Sequence, residues 1–486
     1  MKLGAAIAEI MKREGIQILT GYPVNHLIEY AADADIRPIM VRQERIGLHM
    51  ADAISRVTSG RTIGAFCMQH GPGAENAYGG VAQCYGESVP VLVLPMGYPR
   101  RIAHIDPNFN SSVQMRGITK SAEPIMSAAE VPNILRRAFA RLRNGRGGPV
   151  LVEIPTDMWN EEVPEPLAYH PVAATRYGPD PADVERAAAL LAKAKRPVIY
   201  AGTGVHWARA WPQLQALAEM LAAPVTTSLG GKSAFPEDHP LALGSGGLAM
   251  RRGVRHFLDN ADVILGIGCS FTETNFGVKM PSGRKIIHAT LDPDHLGKDV
   301  PIEIGLVGDA GLTMDGLIAE LATRIKKPRS STAVAKEIAG LNKEWLAAWA
   351  QLQALAEMLA APVTTSLGGK SAFPEDHPLA LGSGGLAMRR GVRHFLDNAD
   401  VILGIGCSFT ETNFGVKMPA GKKIIHATLD PDHLGKDLPI DIGLVGDAGL
   451  TMDGLIADLA TRIKKPRSSA AVASEIAGLN TEWLAA

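Results

Sequence analysis

Thr62-Ile63-Gly64-Ala65-Phe66-Cys67-Met68 runs through Gln69-His70 into Gly71-Pro72-Gly73 and then Ala74-Glu75-Asn76-Ala77-Tyr78. The first stretch is a short apolar run bounded by turn residues, as a buried strand requires. Proline suits the first turn of a helix, so Gly-Pro-Gly opens a helix that runs to about Tyr85. Strand, tight turn and helix make one βα unit, and the pattern repeats on either side. Upstream, Leu3 to Arg13 reads as a helix, and Ile16 to Thr20 as a strand ending at Gly21-Tyr22-Pro23. Pro38 to Val41 is a second strand, and Glu44 to Thr58 a helix with Ile46, Met50, Ile54 and Val57 on one face. Downstream, Val89 to Leu94 and Pro149 to Ile154 are buried strands with the helix Val131 to Leu142 between them. Such alternation predicts an α/β fold, a doubly wound parallel sheet covered on both faces.

A stretch from Pro155 to Pro179, rich in proline and acidic residues, shows neither period. A second α/β unit follows, with helix Ala182 to Ala194, strand Pro197 to Ala201 and the turn Gly202-Thr203-Gly204. Strands at Pro224 to Thr227, Val263 to Ile267, Lys285 to Leu291 and Gly305 to Val307 come next, then helices to Ala348. This order predicts a Rossmann-like domain.

Gln213 to Ala348 then recurs as Gln351 to Ala486, at a constant offset of 138, with eight differences in 136 positions. The pairs that differ are Ser282/Ala420, Arg284/Lys422, Val300/Leu438, Glu303/Asp441, Glu320/Asp458, Thr332/Ala470, Lys336/Ser474 and Lys343/Thr481. Two copies of so long a unit are not a solenoid. A recent duplication, a recombination and an assembly join all account for such closeness. The copy starts after the first strand of its parent, which in a doubly wound sheet lies at the centre. It therefore lacks the strand its own sheet is built around. The expected organisation is one domain over 1–165, a linker over 166–180, a Rossmann-like domain over 181–348 and an incomplete second copy over 349–486.

Composition sets outer limits. The 486 residues are 46% apolar and 20% charged, with Lys plus Arg 49 against Asp plus Glu 50. That balance gives no basic surface for nucleic acid and no acidic solvating tail. Cys67, Cys84, Cys269 and Cys407 form no C-x-x-C pair and no zinc spacing, and read as small buried residues of a reducing compartment. Glu9, Lys12, Arg13 and Glu14 interrupt the N-terminal apolar residues, so the start reads as an amphipathic helix and not a signal peptide. The apolar run Val89 to Gly97 falls well short of the roughly 20 residues of a membrane span. A cytoplasmic protein that binds no membrane is expected.

Three motifs in order resemble the pyrimidine-binding domain of thiamine diphosphate (ThDP) enzymes of the acetolactate synthase and benzoylformate decarboxylase family. They are Gly21-Tyr22-Pro23; Arg42-Gln43-Glu44 leading into Ile46-Gly47-Leu48-His49-Met50-Ala51-Asp52-Ala53; and Gly71-Pro72-Gly73-Ala74-Glu75-Asn76 followed by Glu87 to Leu94. Pro224 to Thr227, Ala234 to Pro240, Ile287 to Asp292 and Val307 to Ala310 resemble the family's central domain.

The resemblance implies that Glu44 is the catalytic acid, which hydrogen-bonds N1′ of the cofactor aminopyrimidine and favours its imino tautomer. A carboxyl that holds a proton suits that work, and a desolvated place favours it. A glutamate at a strand–helix junction otherwise serves as a helix cap. Gly71, Pro72 and Gly73 would let the backbone approach the ring, with the Asn76 amide one turn on. Tyr22 and Pro23 match a cofactor-proximal turn, although Val24-Asn25 stands where relatives carry two glycines. His70 is either a substrate-facing acid/base or a turn histidine without chemistry. Cys84 and Tyr85 read as core.

The family anchors the diphosphate through Mg²⁺ on a further domain marked by Gly-Asp-Gly, which this sequence does not contain. Gly308-Asp309-Ala310 and Gly446-Asp447-Ala448 come nearest. No metal ligand is assigned among these residues. Some relatives bind FAD, and Gly202-Thr203-Gly204 falls short of the dinucleotide fingerprint. The resemblance implies a 2-oxo acid lyase or carboligase, a homodimer or homotetramer, with Mg²⁺ and the diphosphate site coming from another domain or a separate subunit. The alternative is a catalytically silent, truncated or recombined chain that keeps only the fold and the association surface.

Overall fold

A computed structural model of the chain describes residues 1–486 apart from 248–249, 275–276, 367–368, 370–371, 386–387, 412–414 and 486. The side chains of 344–348 and 483–485 are also left undescribed. Contacts divide the chain into two units, Met1–Ser245 with Leu258–Ser331, and Gly246–Phe257 with Thr332–Ala486.

The first sheet is built from β1 (Ile18–Gly21), β2 (Arg37–Met40), β3 (Gly64–Met68), β4 (Val91–Gly97), β5 (Ser121–Pro124) and β6 (Val150–Pro155). Its order is β2-β1-β3-β4-β6-β5, with every pair parallel. Helix α1 (Leu3–Arg13) precedes the first strand, and α2 (Leu27–Asp33), α3 (Glu44–Val57), α4 (Pro72–Gly86), α5 (Ser111–Gln114) and α6 (Val131–Arg143) connect the strands. β3, β4 and β6 are buried along their whole length, which explains their unbroken apolar runs.

The apolar face expected on α3 is not the buried one. Glu44, Gly47, Leu48, Ala51, Asp52 and Ser55 face inward, while Ile46 and Val57 are exposed. Close packing is the cause. A Cβ on Gly47 would lie 2.5 Å from the Phe66 ring, and one on Gly64 would lie 1.9 Å from the Ala51 carbonyl oxygen. Only small residues allow α3 this near to β3. Tyr85 is likewise exposed and not core, with the Arg146 guanidinium 5.9 Å from its ring centroid. Cys84 is buried as expected.

The second sheet combines β7 (Pro197–Ala201), β8 (Val225–Thr227), β9 (Ala242–Ser245), β10 (Val263–Ile267), β11 (Lys285–Thr290) and β12 (Ile304–Val307). Its order is β12-β11-β10-β7-β8-β9, all parallel. Helices α7 (Pro181–Lys193), α8 (Gly204–Ala208), α9 (Trp211–Leu221) and α11 (Ala310–Arg324) accompany it, while α10 (Arg252–Asp259) falls mostly in the other unit. β7 sits at the centre, as the doubly wound order demands. The chain is thus an α/β protein of parallel sheets.

The copy takes a different form. The 28-residue helix α12 (Thr332–Leu359) spans the junction, so 335–339, one repeat beyond β7, are helical. β13 (Val363–Thr365) and β14 (Ala380–Ser383) make a two-stranded sheet. β15 (Val401–Ile405), β16 (Lys423–Thr428) and β17 (Ile442–Val445) make a separate three-stranded one. Helices α13 (Arg390–Asn398), α14 (Ala448–Arg462) and α15 (Ala470–Ala485) repeat their counterparts. The parental sheet is cut where its central strand would lie.

Candidate active site

In parallel sheets, ligands gather outside the carboxyl ends of the strands. Gly21 pairs with Cys67 and Met68 with Pro95, so the segments leaving β1, β3 and β4 emerge side by side. They carry Tyr22-Pro23, Gln69 to Gly73 and Tyr98. β2 ends at Met40, and α3 begins four residues later at Glu44.

Glu44 occupies the first position of α3 and is buried. Gln43 is the N-cap residue, and no side-chain capping bond is made there. The Glu44 carboxylate instead reaches across to α4, where Oε2 accepts a 2.5 Å hydrogen bond from Asn76 Nδ2. The start of α3 adds the favourable field that a helix N-terminus gives a carboxylate.

Gly71 caps α4 at φ +57°, where a side chain is strained, and a Cβ there would lie 2.8 Å from the Tyr98 hydroxyl. Pro72 takes the first helical position. A Cβ on Gly73 would stand 3.3 Å from Glu44 Oε1 and 2.6 Å from Gln69 Cγ. Glycine therefore keeps the space beside the carboxylate open, as close approach of a planar ring would require. Glu44, Gly73 and Asn76 are brought together, with Gly71 and Pro72 on the same turn. Tyr22 and Pro23 lie at the end of β1, where Tyr22 N–H donates to the Cys67 carbonyl at 3.2 Å. Among the described residues neither bonds to Glu44.

The departure at Val24-Asn25 has two consequences. Val24 adopts φ +72° and is exposed, a left-handed conformation that a β-branched residue resists. Asn25 is buried, and its Nδ2 donates to the Met68 carbonyl at 2.9 Å and the Leu94 carbonyl at 3.1 Å. Its Oδ1 accepts from Leu27 N–H at 3.0 Å. One side chain so ties the end of β3 and the middle of β4 to the start of α2. The sequence pattern marked this position as a departure but did not point to this role.

His70 packs edge-on against Tyr98, with centroids 4.5 Å apart. Its Nδ1 is buried without a hydrogen-bond partner among the described residues, and burial lowers its affinity for a proton. Tyr98 and Gln69 belong to this neighbourhood too, and were findable only by their adjacency to the strand ends. Behind the site, Cys84 Sγ donates to Asp52 Oδ2 at 3.3 Å, and Asp52 is paired with Arg56.

Asp309 and Asp447, at the strings nearest to Gly-Asp-Gly, are helix caps. Asp309 Oδ1 accepts from Gly311 and Leu312 N–H, and Asp447 Oδ1 from Gly449 and Leu450 N–H. Among the described residues no group of three or more His, Cys, Asp or Glu is placed to hold a metal. A Cβ on Gly202 or Gly204 would strike the backbone of Gly268, so this turn's glycines serve strand-to-strand packing. Among the described residues no helix is long and apolar enough to cross a membrane.

The model of the N-terminal TPP-binding domain of thiamine pyrophosphate enzymes matches residues 1–121. The model of the central domain of these enzymes matches twice, over 184–317 and 321–455. A probable acetolactate synthase large subunit of Methanocaldococcus jannaschii is 34% identical over 336 residues, covering 66% of this chain and 56% of the relative. Glyoxylate carboligase of Escherichia coli O157:H7 is 32% identical, covering 67% of this chain and 56% of the relative. The crystal structure of benzoylformate decarboxylase from Polynucleobacter necessarius superposes with a TM-score of 0.60 at 23% identity, covering 68% of this chain and 62% of that one. The chain spans a little over half the length of the curated relatives it matches. Two matched central-domain segments and a matched N-terminal domain, on parallel sheets of the same fold, make the chain a member of the thiamine pyrophosphate enzyme family.

Proposed function

We propose that the chain contributes the pyrimidine half of a ThDP site in a 2-oxo acid lyase or carboligase of acetolactate synthase type. The observation that carries this is the buried Glu44 carboxylate, held by Asn76 beside the open face of Gly73. When bound, ThDP supplies an electron sink once its thiazolium C2 has lost a proton. Glu44 would hold a proton at the ring nitrogen N1′, and Asn76 would keep the carboxylate aimed. Gly71, Pro72 and Gly73 would form the wall against the ring, and Tyr22 and Pro23 would also contact the cofactor. The Glu44 carboxylate is buried where α3 and α4 meet, which fixes its place beside Gly73.

The domain limits that accompany this reading are 1–165, 166–180, 181–348 and 349–486. Magnesium and the diphosphate fall to a domain elsewhere, in a second subunit or another polypeptide. Ile46 and Val57 of α3 and Tyr78 and Tyr85 of α4 are exposed, and this apolar surface supports self-association into a homodimer or homotetramer. The engagement of Asp309 and Asp447 in capping supports a second reading, a chain that folds and associates but turns nothing over by itself.

Calorimetric titration with ThDP and Mg²⁺ tests the proposal. Binding that weakens about tenfold or more in Glu44→Gln and in Gly73→Ala is expected. Binding indifferent to both substitutions would overturn it. No binding by the chain alone, with activity restored by a diphosphate-domain partner and lost in Glu44→Gln, identifies the split site.

A further inference from the structure

The second copy repeats a strand slot without its strand. In the first copy β7 is held on both sides. Ile199, Tyr200 and Ala201 pair with Val225, Thr226 and Thr227, and Pro197 to Ala201 pair with Val263 to Ile267. The holding residues recur without substitution as Val363-Thr364-Thr365 in β13 and Val401-Ile402-Leu403-Gly404-Ile405 in β15. Each keeps its other neighbour as in the parent, including the register shift between β13 and β14. Among the described residues nothing pairs with their remaining edges.

Burial records the vacancy. Val263 is 2% exposed and its counterpart Val401 43%. β8 is buried throughout and β13 only half-buried. The missing helix leaves a trace as well. The Arg329 guanidinium donates to the carbonyls of Leu191, Ala192 and Ala194 at the end of α7, at 2.6–3.3 Å. Its counterpart Arg467 is exposed and makes no side-chain hydrogen bond among the described residues. α11 buries Ala310, Gly311, Thr313, Met314, Leu317 and Leu321, whereas α14 buries only Met452.

We propose that β13, β15 and α14 form an acceptor for an α7–β7 segment, and that the occupant is residues 179–210 of a second copy of this chain. The first copy is the evidence for the occupant, since these residues already hold that segment there. Edge strands with free backbone groups take up a further strand by main-chain hydrogen bonds, and the side chains decide which strand. Each chain carries two acceptors and one donor. Moving β7 from its own sheet to the second acceptor of another chain exchanges like pairs for like, so the swap loses no strand pairing. Donor segment in excess fills the second acceptor by mass action.

The test is a titration of the full chain with a labelled peptide of residues 179–210, read by anisotropy and by hydrogen exchange over 363–365 and 401–405. Saturable binding of one peptide per chain is expected, with exchange in both strands slowed about tenfold or more. An Ile199→Pro peptide loses the N–H that Ile199 donates to Pro224 and should not bind. The chain variant Leu403→Pro should also lose binding while Val263 to Ile267 keep their protection, which shows the first copy intact. Three results would overturn the proposal: no saturable binding up to about 100 μM, equal binding of the Ile199→Pro peptide, or a peptide-free dimer in which β15 is already protected by its own counterpart.

Discussion

Val263→Ala and Val401→Ala are one substitution in one local sequence, made at two places that differ in burial. Both residues begin a Val-Ile-Leu-Gly-Ile strand that pairs in parallel with a Lys-Ile-Ile-His-Ala-Thr strand. Val263 has β7 on its other side and is 2% exposed, while Val401 has an open edge and is 43% exposed. Removing two methyl groups from a buried site forfeits about 1.6 kcal/mol of transfer free energy, and the cavity left behind raises this to about 2–2.5 kcal/mol. At Val401 much of the side chain already meets solvent and the edge can relax, which leaves about 0.5–1 kcal/mol. The two units need not unfold together, so a single melting midpoint is the wrong readout. Native-state hydrogen exchange, followed separately over 263–267 and 401–405, gives a free energy for each strand. A cost at Val263 at least twice that at Val401 is expected. Equal costs would refute the reasoning, because they would mean that the second copy has closed its sheet.

A second matched pair probes the missing helix: Arg329→Ala should cost about 1.5–3 kcal/mol through three lost charge-assisted bonds, and Arg467→Ala less than about 0.5 kcal/mol, each measured by exchange in its own unit. Val24→Gly should stabilise the first unit by about 0.5–1 kcal/mol, the relief of a left-handed valine (about 1–2 kcal/mol) less the extra freedom of glycine in the unfolded chain; native-state hydrogen exchange over 64–68 is the check. Glu153 is buried, with Ser112 N–H donating to Oε2 at 2.7 Å, and burial raises its pKa from an ordinary 4.5 to about 7. Between those values the unfolded chain has lost a proton that the folded chain keeps. Its stability therefore falls as pH rises from about 4.5 to about 7, by at most about 3 kcal/mol, and this contribution is flat on either side. Glu153→Gln should remove that slope, read as the hydrogen-exchange free energy over 150–155 at pH 5 and at pH 8.

The alternation of strands and helices was legible because central strands such as β3, β4 and β10 are apolar runs closed by turn residues. β5 and β9 escaped notice for the opposite reason. They are edge strands, and Ser121-Ala122-Glu123-Pro124 and Ala242-Leu243-Gly244-Ser245 need no continuous apolar face. On α3 the apolar period pointed the wrong way. Packing there is set by Gly47 and Gly64, and helical periodicity does not weigh glycines. The glycines and Asn76 of the candidate site could be read from spacing, since they belong to one turn and the helix it opens. Asn25 could not, because its partners Met68 and Leu94 are carbonyls supplied by distant strands. The offset of the repeat was enough to show which strand the copy lacks, and the split into two sheets is its structural expression.

The central claim is that Glu44 is an acid aimed at the ring nitrogen of ThDP. Exchange of the thiazolium C2 proton for deuterium, followed by proton NMR on enzyme-bound cofactor with the diphosphate-domain partner present, tests it most directly. Acid–base catalysis of this kind contributes about 10²–10⁴-fold. Glu44→Gln is expected to slow the exchange by at least about 10²-fold at saturating cofactor, with Asn76→Ala intermediate. An exchange rate unchanged in Glu44→Gln would contradict the account.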